Sequence, residues 1–181
     1  MSQQNTKKIA LVTGGGSGIG RSICLRLAKR DIHIMVVDLN LDAANLVKDE
    51  ILRDSGSADA YAVDVANHQQ VHELLNTITK HYPIDILVNN AGIAHIGNIE
   101  NTTEADLDRL YNINVKGVYN CIHAAIESMK SRKSGVIINL ASVASSVGIA
   151  QRFAYSMTKG AVLTMTYSVA KDYINDGIRC N

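Results

Sequence analysis

A short apolar run without alternation, Ile9-Ala10-Leu11-Val12, runs straight into Thr13-Gly14-Gly15-Gly16-Ser17-Gly18-Ile19-Gly20. Apolar residues at helical spacing follow, through Ile23, Leu25, Leu27 and Ala28. An unbroken apolar strand is one covered on both faces, as the strands of a parallel sheet are. A glycine turn between such a strand and a helix lets the backbone approach a phosphate closely. The helix start then supplies N–H groups and partial positive charge to meet it. The spacing, Gly14-x3-Gly18-x-Gly20, departs from the common G-x-G-x-x-G. It comes near a P-loop from Gly15 to Gly20-Arg21-Ser22, but Arg21 stands where that loop needs its lysine.

The same alternation continues along the chain. Ile32 to Val37 reads as a second strand closed by Asp38, and Leu41 to Arg53 as a helix. Ala58 to Val63 is a third strand running into Asp64-Val65. Asn67 to His81 is a helix with Asn67 as its N-cap. The only proline, Pro83, precedes a fourth strand, Ile84 to Val88, which Asn89-Asn90-Ala91-Gly92 closes. One long helix is expected from Thr103 to Ser131, with Asn114 in its middle. Asparagine disfavours a helix interior, so a side-chain bond to a neighbouring carbonyl is the structural explanation. Gly135 to Leu140 is a fifth strand with Ser142 just beyond it. After a loop to about Arg152, a helix carries Tyr155, Lys159 and Leu163 to Tyr173, and Gly177 to Asn181 begins a sixth strand.

Strands alternating with helices over crossovers of this length give a single doubly wound α/β domain over residues 1–181. Such a Rossmann-like sheet binds its ligands at the carboxyl ends of the strands. Thr13 to Gly20, Asp38, Asp64, Asn89 to Gly92 and Ser142 all fall at those ends. Asp38 lies eighteen residues beyond Gly20, about where a carboxylate receives the ribose hydroxyls of a dinucleotide. A carboxylate there repels a 2′-phosphate, and neither Ser17 nor Leu39 offers a compensating cation, so the sequence favours NAD over NADP. Tyr155 and Lys159, four apart, stack on one helix face.

Composition removes other classes. The formal net charge is +1, with one Phe and no Trp, which disfavours nucleic-acid binding. The longest apolar run, near Ile34 to Val37, is too short for a membrane span. Residues Met1 to Lys8 lack the apolar region of a signal peptide. Cys24, Cys121 and Cys180 form no CxxC pair and are expected as reduced thiols of a cytoplasmic protein. His68 and His72 have a spacing that suits metal, but no HExxH and no third ligand accompany them. A solvated helix face, with no metal, is the expectation.

TGGGSGIG at Thr13 to Gly20, Asp38, Asp64-Val65, NNAG at Asn89 to Gly92, Asn114, Ser142 and YxxxK at Tyr155 to Lys159 occur in order. In this the chain, from Lys8 to Asn181, resembles the short-chain dehydrogenase/reductase family. The resemblance implies strand order 3-2-1-4-5-6. It implies a catalytic set of Asn114, Ser142, Tyr155 and Lys159. It also implies a dinucleotide site of Thr13, Gly14, Ser17, Gly18, Ile19, Gly20, Asp38, Asp64, Val65, Asn90, Ala91 and Gly92, together with Tyr155 and Lys159. A homodimer or homotetramer built through the two long helices follows by the same resemblance. Family members continue past the sixth strand with a substrate loop, a helix and a last strand. The sequence stops at Asn181, so a fragment or truncated product is expected.

The chemistry of these residues is alcohol–ketone interconversion with NAD. A free tyrosine, with pKa about 10, is a poor base at neutral pH. An ammonium roughly 4 Å away favours the phenolate by about 4 kcal/mol at an effective dielectric near 20. Tyr155 is thus the expected acid/base and Lys159 its activator, which by resemblance also binds the nicotinamide ribose. Ser142 binds the substrate oxygen, and by resemblance Asn114 holds a relay water. Arg152 would share the Tyr155 face if the helix extends back to it, and could clamp a carboxylate. The substrate expected is therefore a hydroxy acid or sugar-derived acid. The alternatives are an NADP-dependent 3-oxoacyl reductase and a nucleotide-binding fragment without turnover.

Overall fold

The computed structural model describes residues 7–181, so the expectation for the N-terminal stretch falls largely outside the described residues. Six parallel strands form one sheet: β1 (Ile9–Thr13), β2 (His33–Asp38), β3 (Ala58–Ala62), β4 (Ile86–Asn89), β5 (Gly135–Asn139) and β6 (Ile178–Cys180). Their order is β3-β2-β1-β4-β5-β6, as the resemblance implies. The absence of alternation in the strands has a direct cause. Ile9 and Leu11 of β1, with Met35 and Val37 of β2, enter one core. Ala10 and Val12, with Ile34 and Val36, enter another. Both faces of β1 and β2 are dry, so positions 9–12 and 34–37 are apolar throughout.

Helices α1 (Gly18–Ala28) and α2 (Leu41–Arg53) cover the second face, through Cys24, Ala44, Val47 and Ile51. Helices α3 (His68–Thr79), α5 (Gly117–Ser131) and α6 (Phe153–Asp172) cover the first. There Val71, Leu75, Ile122, Met129 and Val162 join the core. Asn40 and Asn67 cap α2 and α3 by accepting N–H groups from their first turns. Burial keeps the three cysteines as thiols, pushing Cys24 and Cys121 up to about 12 and Cys180 up to about 11. Thiols held in that form are poor nucleophiles. Among the described residues no helix is long and apolar enough to cross a membrane.

Two expectations need correction. The helix expected over Thr103 to Ser131 is not uniform. α4 (Glu104–Leu110) passes into one π-helical turn, Tyr111–Lys116, before α5 begins. The wide turn carries Asn114, which is buried. Its Oδ1 accepts from Ile93 N at 2.8 Å, and its Nδ2 donates to Ile93 O and to Thr158 Oγ1. Secondly, the condition for Arg152 to share the Tyr155 face is not met, because α6 begins at Phe153, where the loop expected to about Arg152 ends. That residue is the N-cap, at φ −133° and ψ 26°. Gly97 and Gln151–Phe153 exchange backbone hydrogen bonds that hold this segment against the chain after β4.

The glycine turn joins β1 to α1 under tight constraint. A Cβ at Gly20 would overlap the Gly14 carbonyl and come within 2.5 Å of Asn90 Nδ2, whereas one at Gly18 would meet nothing. Gly18 needs glycine only for its φ of +51°. Gly20→Ala should therefore cost about 1–3 kcal/mol by overpacking and also deform the turn. Gly18→Ala should cost about 1–2 kcal/mol, from backbone strain alone. Urea unfolding checks the stabilities, and an amide NMR spectrum should show turn displacements in the first variant that are absent from the second.

Candidate active site

The carboxyl ends of the central strands open into a cavity of about 540 Å³, a size suited to a small organic ligand. Two hydrogen-bonded turns make its floor. Thr13 Oγ1 accepts from the backbone N–H groups of Asn90 and Ala91, each at 3.1 Å. Asn90 Nδ2 returns hydrogen bonds to the carbonyls of Thr13 and Gly14, each at 3.0 Å. Thr13 is almost fully buried, so it holds the site together from behind and does not line it. Gly20 likewise acts through packing. Gly14, Ser17, Gly18, Ile19, Asn90, Ala91 and Gly92 do line the cavity.

Ser17 caps α1 without spending its side chain on a first-turn N–H. The N–H groups at the start of a helix have no intrahelical acceptor. With the helix dipole they suit an anion such as a pyrophosphate. Across the turn, Asp38 Oδ2 accepts from Gly16 N at 2.9 Å and Oδ1 from Asn40 N at 3.1 Å. Among the described residues Asp38 has no ion pair. The Arg21 guanidinium at the start of α1 is engaged by Glu50. Asp64 and Val65 form another part of the wall, with Asp64 Oδ1 bonded to Ala66 N. A carboxylate facing the cavity beside a glycine turn, with apolar surface between, fits a dinucleotide's ribose, pyrophosphate and base.

Tyr155 and Lys159 both line the cavity from α6, as their spacing requires. Lys159 is 7% exposed, and its Nζ donates to the Leu140 carbonyl. Nζ stands 5.9 Å from the centre of the Tyr155 ring. Burial lowers the pKa of Lys159, because removing solvent disfavours its charged form. Gly92 leaves room for this arrangement, since a Cβ there would lie 3.2 Å from Asn114 Oδ1 and 3.6 Å from Lys159 Nζ.

Ser142 follows the cavity-lining Ala141 and is half-buried. It begins a 3₁₀ turn, Val143–Ser145, and its Oγ accepts from Ala144 N at 3.2 Å. Its hydroxyl proton remains available to donate. Ser145 Oγ ties the same turn to α6 by donating to Lys159 O. Asn114 stands behind Gly92, its amide committed to Ile93 and Thr158 as described above. Arg152 does not line the cavity. Its guanidinium donates to His95 O at 3.1 Å, so the shared face expected for Arg152 and Tyr155 is not formed.

The cavity also takes Val37, Leu39, Ile93, Ala94, Ile113 and Leu140 into its walls. Apolar residues at strand ends carry no chemical signal in sequence, and only the topology brings them together. A third histidine escaped sequence reading as well. His123 of α5 faces His68 and His72 of α3, so the expectation that this pair lacks a third ligand is corrected. These three imidazoles are not part of the cavity wall.

Comparison with known proteins agrees with the fold and gives the family. Residues 8–181 match the family model described as short chain dehydrogenase. An oxidoreductase of Thermotoga maritima is 39% identical over 176 residues, covering 96% of this chain and 69% of that protein. A gluconate 5-dehydrogenase of Burkholderia cenocepacia, solved with NADP and tartrate, superposes with a TM-score of 0.92 at 34% identity. The match covers 96% of this chain and 69% of that one. NAD⁺-bound xylitol dehydrogenase superposes with a TM-score of 0.94 at 30% identity, covering 99% and 70% respectively. The chain belongs to the short-chain dehydrogenase family of oxidoreductases.

Proposed function

We propose that this chain carries an NAD(H)-dependent oxidoreductase site that interconverts a secondary alcohol and a ketone, with Tyr155 as acid/base. The observation that carries the reading is the convergence of Tyr155 and the buried Lys159 on the cavity that Asp38 and the glycine turn also line. A nicotinamide dinucleotide, when bound, supplies the hydride acceptor or donor. The glycine turn and α1 N-terminus receive the pyrophosphate, and Asp38 accepts from the adenosine ribose hydroxyls.

The protein's own residues manage the proton. Tyr155 Oη takes the hydroxyl proton during oxidation and returns it during reduction. The Lys159 ammonium, held by the Leu140 carbonyl, stabilises the phenolate electrostatically in a site with little water. Ser142 donates to the substrate oxygen as negative charge develops there. The π turn holds Asn114 beside Gly92 and Lys159, where its backbone is the proposed anchor of a relay water. Asn139 and Thr166, hydrogen-bonded at 2.9 Å, brace α6 on the sheet behind the site.

Preference for NAD rests on Asp38. Its carboxylate is unpaired among the described residues, and a 2′-phosphate beside it would meet like charge. The substrate class is a hydroxy acid, sugar acid or related polyol, supported by likeness to the gluconate and xylitol dehydrogenases. A homodimer or homotetramer through α5 and α6 is part of the same reading. It is supported by the exposed Tyr167 on α6. A cytoplasmic location accords with the buried thiols.

Two kinetic outcomes follow. With a polyol or sugar-acid substrate, kcat/KM should favour NAD⁺ over NADP⁺ by at least about tenfold, equivalent to 1.4 kcal/mol. Asp38→Ser should narrow that ratio, and a wild-type preference for NADP⁺ would contradict the role of Asp38. Tyr155→Phe should lower kcat by roughly 10²–10⁴-fold, the usual worth of a general acid/base, while NADH still binds as in the parent. Turnover near the parental rate in this variant would remove Tyr155 from the proton transfer.

A further inference from the structure

Away from the cavity, α3 and α5 bring together three imidazoles: His68 and His72 from the first, His123 from the second. One ring nitrogen of each lies within 4.8 Å of the other two. The ring centres of His68 and His72 are 4.3 Å apart, and those of His72 and His123 5.1 Å. Among the described residues, none of the three pairs with a carboxylate. Stacking alone does not account for the group, because its nitrogens turn toward one another.

The tautomer of His68 follows from its neighbours. Asn120 is buried, and its Nδ2 donates to the Val65 carbonyl at 2.8 Å. A carbonyl only accepts, so the amide nitrogen must face Val65 and Oδ1 must face His68. Oδ1 lies 2.9 Å from His68 Nδ1, which therefore carries the proton. The lone pair of His68 is left on Nε2. An N–H fixed by a buried oxygen, with the opposite nitrogen free, is the outer-shell arrangement typical of a metal-binding histidine. On the other side His72 Nε2 and His123 Nδ1 lie 3.0 Å apart and share one proton. Around a tetrahedral ion with Zn–N bonds of about 2.05 Å, ligand nitrogens stand roughly 3.3 Å apart. Replacing the shared proton by a metal ion thus requires only a small opening of this pair.

We propose that His68, His72 and His123 form a binding site for a divalent late first-row transition metal ion, zinc above all. His68 Nε2, His72 Nε2 and His123 Nδ1 are the ligands. Water takes the fourth position, since the site opens to solvent. Imidazole nitrogens suit this class of ion, whereas magnesium and calcium require oxygen. The bound ion cross-links α3 to α5, adding a coordinate link to the apolar packing and the His68–Asn120 hydrogen bond that already join them. Its binding does not depend on the dehydrogenase reading.

The test is zinc titration of the tag-free chain, by calorimetry and by competition with a chromophoric chelator. One equivalent should bind with a Kd in the micromolar range or tighter. His123→Ala should weaken it at least tenfold, and His72→Asn similarly. His81→Ala, which changes an exposed histidine outside the cluster, should leave it unchanged. At a hundredfold excess of zinc over Kd the parent should gain about 5 °C or more in Tm, and a folded His123→Ala should not. Cobalt in place of zinc should give the intense visible bands of tetrahedral coordination. Zinc binding that is equal in parent and His123→Ala, or the absence of a stoichiometric site in the parent, would overturn the proposal.

Discussion

The paired turns at the ends of β1 and β4 are the constraint on which the rest of the site depends. Thr13 and Asn90 exchange hydrogen bonds that satisfy buried backbone groups on both turns at once. Each such group would be expensive to bury alone. Together they fix the glycine turn relative to the strand beside it, and hence the α1 N-terminus relative to Gly92. Everything proposed for the chemistry is measured from that frame. Asp38 reaches the turn through Gly16, and Lys159 and Asn114 pack against Gly92.

Much of this was legible in the residues. Unalternating strands, glycine at the first turn, an acid at the second strand end and a tyrosine–lysine pair at helical spacing each have a local physical signature. Parallel topology then forces their convergence, because strand ends of one polarity share one edge of the sheet. Features created by contacts between distant segments were not legible. The π turn exists where Asn114 meets Ile93 and Thr158, and no local propensity announces it. Arg152 ends the loop as its sequence placed it, but Gly97 pairs with its neighbours, so the helix does not reach back to give it the face of Tyr155.

His123 makes the same point from the opposite direction. Two histidines on one helix read as a solvated face, since nothing in sequence says which face of α5 will oppose them. The packing of α3 against α5 supplies the third imidazole, and buried Asn120 orients the first. Asn120 also bonds to Val65, a residue of the cavity wall. The helix pair with the histidine cluster and the dinucleotide cavity therefore share one structural element.

The most direct test of the central reading is a fluorescence titration of NADH into this chain, repeated with Gly20→Ala. The predicted result is saturable binding by the parent, with enhanced and blue-shifted nicotinamide emission, and its loss or marked weakening when the turn is deformed. Failure of the folded parent to bind NADH, or equal binding by both proteins, would contradict the assignment of the cavity as the dinucleotide site.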